Sequence, residues 1–95
     1  MGDLLVNGAP IPYDTVPVAY MASGVRRYFE SHQKVGGFLT ALLCNNLRET
    51  LTHADDTNAR FIKEWVQWLY NHAPARSWGS EEHHAAWLAG RRAAA

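Results

Sequence analysis

The stretch Lys34-Val35-Gly36-Gly37-Phe38-Leu39 has the makings of an anion site. Two consecutive glycines ahead of an apolar run let the backbone curl, so the unpaired amides of Gly37, Phe38 and Leu39 at a helix start could point at one spot that favours phosphate. Arg26, Arg27 and Lys34 lie close enough in sequence to supply countercharge. The same residues also fit an architectural role, with Gly36 as the left-handed residue of a tight interhelix turn and Gly37 as the helix cap. A lone Gly-Gly lacks the spacing of a full phosphate loop, and both readings stay open.

Other polar residues fall at telling positions. On a helical wheel Asn46 lies at the edge of the Leu39, Leu43 and Leu47 face, with His53 beside it two turns on, and Asn58 sits at the centre of the Phe61 and Trp65 face. A buried amide must find partners. These asparagines either bond to neighbouring backbone or line a pocket and read a ligand's polar edge. Trp78, in the loop "SWGS", either stacks on a planar group and anchors an interface or plugs the end of the fold.

Catalytic arrangements are harder to build. His83 and His84 are adjacent and point about 100° apart on a helix, unlike the i, i+4 pair of metal-binding helices. Cys44 has no second cysteine to join it in a zinc site. Ser77 and Ser80 are not in a nucleophile elbow, and Asp55 and Asp56 sit at a helix start, where ionised carboxylates are stabilised and poorly suited to acid catalysis. The residues point to a protein that is not an enzyme and needs no metal or cofactor.

Composition narrows the partners. Nine basic residues balance nine acidic ones in a chain of 95, which removes the electrostatic argument for binding duplex nucleic acid. A lone cysteine is consistent with a reducing compartment. No apolar run approaches the roughly 20 residues that span a bilayer, so a soluble cytoplasmic protein is expected.

The elements that must position these residues read as all-α. An N-terminal arm over residues 1–17, extended or a hairpin, is expected, because Asn7-Gly8 suits a tight turn after Leu4 to Val6 while Pro10, Pro12 and Pro17 weaken a return strand. A single helical domain over 18–90 follows. Its first helix runs from Val18 to His32, with Val18, Met21, Ala22, Val25, Tyr28, Phe29 and His32 forming the buried stripe and Gly24 marking a close crossing. The second runs from about Gly37 to His53, with Leu39, Leu43, Leu47, Leu51 and Ala54 on one face. Asp55 or Asp56 caps a third, carrying Phe61, Ile62, Trp65, Trp68 and Leu69, and Pro74 stops it. Ser80 caps a short fourth helix with His84, Trp87 and Leu88 inward, ended by Gly90 with Arg91 and Arg92 near its negative end, and 91–95 form a frayed tail. The picture is a small bundle of three main helices plus a short C-terminal one.

Taken in order, "RRYFE", "GGFLTALLCNNL", "ADDTN", "WLYNHAP" and "WGS" resemble a family of small, largely uncharacterised accessory proteins of tailed phages and prophages. The likeness covers about Val25 to Trp87. In that pattern a proline precedes the glycine pair and an aspartate follows the first asparagine, where this chain has Val35 and Asn46. The resemblance implies an anti-defence protein in the host cytoplasm during infection or lysogeny. Two roles follow. In one, the chain is a sponge that sequesters a small anionic, nucleotide-like ligand with Arg26, Arg27, Gly36, Gly37, Phe38, Asn46, Asn58 and Trp78. In the other, it is a homo-oligomeric interaction module that inhibits a host defence protein through Trp78, Tyr70, Val66 and the outer part of the last helix.

Overall fold

The computed structural model describes residues 5, 6 and 8–94, with backbone alone for 91–94. Strand β1 (Leu5–Val6) pairs antiparallel with β2 (Ala9–Pro10), Leu5 opposite Pro10 and Val6 opposite Ala9. Gly8 holds the turn at φ +82°, where glycine alone is unstrained. Leu4 and Asn7, expected in the same hairpin, lie outside the described residues. The segment after the ribbon is stitched into the core, since Ile11, Val16 and Val18 are all buried. Trp68 Nε1 donates to Thr15 Oγ1 at 3.0 Å, and the Arg26 guanidinium lies 5.7 Å from the centre of the Tyr13 ring.

Helix α1 (Ala22–Ser31) follows a 3-10 turn at Ala19–Met21. Its stripe is as the spacing predicts, with Val25, Tyr28 and Phe29 buried and Arg26, Arg27 and Glu30 exposed. It ends on His32, which takes the left-handed conformation at φ 54° and donates its amide to the Tyr28 carbonyl at 3.1 Å.

The expected second helix is two helices. Between α2 (Gly37–Leu43) and α3 (Leu47–His53) the chain reverses at Asn45, φ 61°. The amides of Asn45 and Asn46 close the end of α2 on the carbonyls of Leu42 and Ala41, at 3.1 and 2.9 Å. Asn46 then starts α3, its side chain accepting from the Glu49 amide at 3.1 Å. The reversal resets the helical phase. Leu39 and Leu43 stay buried, but Leu47 and Leu51 are 66% and 51% exposed. Thr50 turns inward in their place, its hydroxyl donating to the Asn46 carbonyl at 2.6 Å.

The third helix is also interrupted, into α4 (Asp56–Arg60) and α5 (Ile62–His72), at Phe61 with φ −110° and ψ 24°. Asp55 is its cap, accepting from the Asn58 amide at 2.7 Å. Ala73 is extended, as a residue before proline tends to be, and a 3-10 turn at Ala75–Ser77 leads on. Helix α6 (Glu81–Ala94) is capped by Ser80 Oγ, which accepts from the His83 amide at 3.0 Å. At 14 residues it is the longest helix, and it runs straight through Gly90, which the sequence reading placed at its end. Gly90 is there for packing: a Cβ on it would sit 3.1 Å from His32 Nδ1. The side chains of Arg91 and Arg92, expected to face the negative end of the helix, lie outside the described residues.

The predominantly helical expectation holds, with a small ribbon in front. The described residues form six α-helices, however, where three main ones and a short one were expected. The core gathers Tyr28 and Phe29 of α1, Phe38, Leu39, Leu42 and Leu43 of α2, and Trp65, Trp68 and Leu69 of α5. Trp87 and Leu88 of α6 pack against it.

The two mid-helix glycines should respond oppositely to alanine. At Gly24 an added Cβ meets Leu39 Cδ1 at 3.5 Å, an ordinary contact, so Gly24→Ala should gain up to about 1 kcal/mol from helix propensity. At Gly90 the neighbour is the His32 ring, pinned by a 2.6 Å hydrogen bond to the Trp87 carbonyl, so Gly90→Ala should lose about 1–3 kcal/mol to overpacking. Thermal unfolding followed by circular dichroism should show the melting point rise for the first variant and fall for the second.

Candidate functional site

Gly36 and Gly37 open α2 at the surface. Gly36 is extended, at φ −68° and ψ 175°, so it is the N-cap; the left-handed residue of the interhelix link is His32. This corrects the turn reading of Gly36. Gly37 is the first helical residue, and its missing side chain makes room for the His53 ring, which would lie 3.2 Å from a Cβ there. Gly36 brings no side chain to the first-turn amides of α2.

Phe38 and Asn58 lie beneath. Phe38 is buried edge-on against Trp65, ring centres 6.0 Å apart, so its side chain belongs to the core. Asn58 is 3% exposed, and its Oδ1 accepts the Trp65 indole N–H at 3.0 Å. Its amide is thus spent on the core, one of the two roles the sequence left open. Gly36, Gly37, Phe38 and Asn58 nevertheless share a shallow depression of about 230 Å³ with Met21, His53 and Asp55.

The other four candidates lie elsewhere. Arg26 reaches Glu30 at 3.4 Å and covers Tyr13. The guanidinium of Arg27 lies back along α1, 3.8 Å from where a Gly24 Cβ would be. Asn46 is consumed as the α3 cap and lines a second depression of about 290 Å³ with Cys44, Glu49, His53 and Glu81. Trp78 is next to Gly79, whose amide donates to the Leu43 carbonyl at 2.7 Å. That is the C-terminal end of α2, and a seven-residue helix separates its ends by roughly 10 Å. Amides, arginines and indole therefore do not converge on one pocket.

Local charge also works against an anion. The Asp55 carboxyl accepts from the Tyr20 hydroxyl and from the Asn58 amide, which hold it below the usual carboxylate range, so the first depression contains an ionised carboxylate. Glu49 and Glu81 line the second. Burial, helped by Glu81, pushes the Cys44 thiol up, which leaves it a poor nucleophile at neutral pH. Among the described residues, no group of three or more His, Cys, Asp or Glu side chains is placed to hold a metal ion.

A larger concavity than either depression is on another face. It is a groove of about 570 Å³ whose walls include Leu5 and Val6 of β1, Tyr70 of α5, Ala73 and Pro74 after it, and Trp78. None of the described residues lining it is charged. Tyr70 stands beside it 80% exposed, with Val66 one turn back, 43% exposed. Trp78 is half-buried against the core, its carbonyl accepting from His83 Nδ1 at 2.9 Å. Of the interface candidates that the sequence offers, Val66, Tyr70 and Trp78, the last two meet here. The contribution of Leu5 and Val6 was missed, because nothing local indicates that a ribbon some 70 residues earlier packs beside Trp78.

Comparison of the chain with models of known families, with curated proteins and with solved structures found no match. No helix among the described residues is long and apolar enough to cross a membrane.

The bond between Asn58 and Trp65 offers a check on whether the amide serves the core. Asn58→Leu should orphan a buried indole N–H and cost about 1–3 kcal/mol in urea unfolding. Because the two side chains form one pair, the losses from Asn58→Leu and Trp65→Phe should fall short of adding in the double variant.

Proposed function

We propose that this chain is a protein-interaction module that acts by binding and performs no reaction of its own. The observation that carries the reading is the groove at Tyr70 and Trp78, about 570 Å³ in volume, none of whose described lining residues is charged. Its best-fitting occupant is a second copy of the chain. The net charge of zero means that two copies do not repel one another. Tyr70 projects beside the groove, so a two-fold axis between copies would set each Tyr70 into the other's groove, as a self-complementary interface requires. The likeness to small phage proteins gives such a dimer a role in the host cell, covering a defence protein and blocking it.

Sedimentation velocity over a concentration series tests this. The wild-type chain should dimerise, and Tyr70→Arg, an exposed change that leaves the core alone, should weaken the dimer at least about thirtyfold, as loss of a 2 kcal/mol aromatic anchor would. A wild-type chain that stays monomeric throughout the series rules the dimer out.

A second reading, the sponge for an anionic nucleotide, draws support from the exposed glycine pair and the first-turn amides of α2, which Gly36 leaves uncapped. Asp55 in the same depression weighs against it. Cyclic and linear nucleotides screened by thermal shift decide the matter, since a ligand at a hundred times its dissociation constant adds about 2.7 kcal/mol. On this reading a shift should appear; the absence of any shift ends the sponge.

A further inference from the structure

His84 is the buried titratable group that no part of the binding reading uses. It is 9% exposed on the inner face of α6, its ring stacked on Tyr28 of α1 with centres 5.6 Å apart and planes 9° from parallel. Its Nε2 finds no hydrogen-bond partner among the described residues. We propose that His84 is an acid-sensitive latch: a second proton on its buried ring loosens α6 from α1.

The surroundings fit that role. Tyr28, the group in ring contact, is neutral, and its hydroxyl donates to the Ser77 carbonyl at 2.6 Å, so it has no proton left for the imidazole. Lys34, on the link between α1 and α2, is a like charge that opposes an imidazolium. Cys44, at the end of α2, lies near Tyr28 and stays a neutral thiol at this pH. Glu81, one turn earlier on α6, is exposed and lines the depression beside Cys44. His83, the neighbour on α6, turns its ring to the Trp78 carbonyl.

Burial, with Lys34 adding to it, lowers the proton affinity of His84 in the closed fold. The open form therefore takes up the proton first as pH falls below the ordinary histidine value of about 6.5, and the closed form loses ground from there down to the lowered value. Two other histidine rings make contacts with carbonyls near α6: His32 Nδ1 donates to the Trp87 carbonyl at 2.6 Å and His83 Nδ1 to the Trp78 carbonyl at 2.9 Å.

Amide hydrogen exchange by mass spectrometry at neutral pH and about one unit below the ordinary histidine value, corrected for intrinsic rates, tests the latch. Protection of α6 relative to α5 should drop by up to about tenfold per pH unit in the wild-type chain, and His84→Phe, which keeps a ring on Tyr28 without a titrating nitrogen, should remove the drop. Unchanged α6 protection in the wild type, or an equal drop in the variant, overturns the proposal. Should His84→Phe fail to fold, an NMR titration of the wild type decides. The His84 ring and the α6 amides should then share one midpoint below the ordinary value, and separate midpoints reject the latch.

Discussion

The fold turns on Tyr28. It is 1% exposed, and a hydroxyl buried without a partner costs about 1–3 kcal/mol, so wherever this side chain goes an acceptor must go with it. The acceptor is the Ser77 carbonyl, 49 residues on, which ties α1 to the loop after α5. The Tyr28 backbone carbonyl accepts the Trp87 indole N–H at 2.8 Å, which ties α1 to α6. Phe29 meets its ring edge-on and His84 stacks on its face. One residue thereby sets where the last third of the chain lies. The position of Trp78, immediately after Ser77, follows from that bond.

A second constraint is the reversal at Asn45. Once the chain turns there, the leucines spaced to continue the α2 stripe point outward on α3, and a threonine can face inward only because its hydroxyl bonds back to Asn46. Local capping chemistry decided a global question of which side chains are buried. The same logic explains why the polar residues that looked like ligand readers are employed in the fold. Asn46 ends up as a cap, Asn58 as the partner of an indole, and Arg26 as a cover for Tyr13.

What is left for binding is what the fold does not consume. The glycine corner is exposed but sits with Asp55 and His53, while none of the described residues lining the groove beside Tyr70 is charged. Burial of such a surface is driven by removal of apolar area from water and needs no countercharge. The proposed protein interface rests on that difference between the two surfaces.

Much of this was legible in the residues themselves. The caps at Asp55 and Ser80 could be read because a short polar side chain and the amide three residues on are neighbours in any helix start. The α1 stripe, and the inward faces of Trp65, Trp68 and His84, could be read because helical periodicity is a local property. Even the break at Asn45 had a signal, since Asn46 followed by Glu49 has the spacing of a cap with its third-position acid. The unbroken run of leucines outweighed it. Tertiary structure alone decided that Gly90 lies inside a helix to admit the His32 ring, that Trp78 sits at the opposite end of α2 from the glycine pair, and that the N-terminal ribbon walls the groove. Each of these depends on a contact between residues more than 30 apart in the chain, and no local spacing encodes which distant side chain will occupy the space.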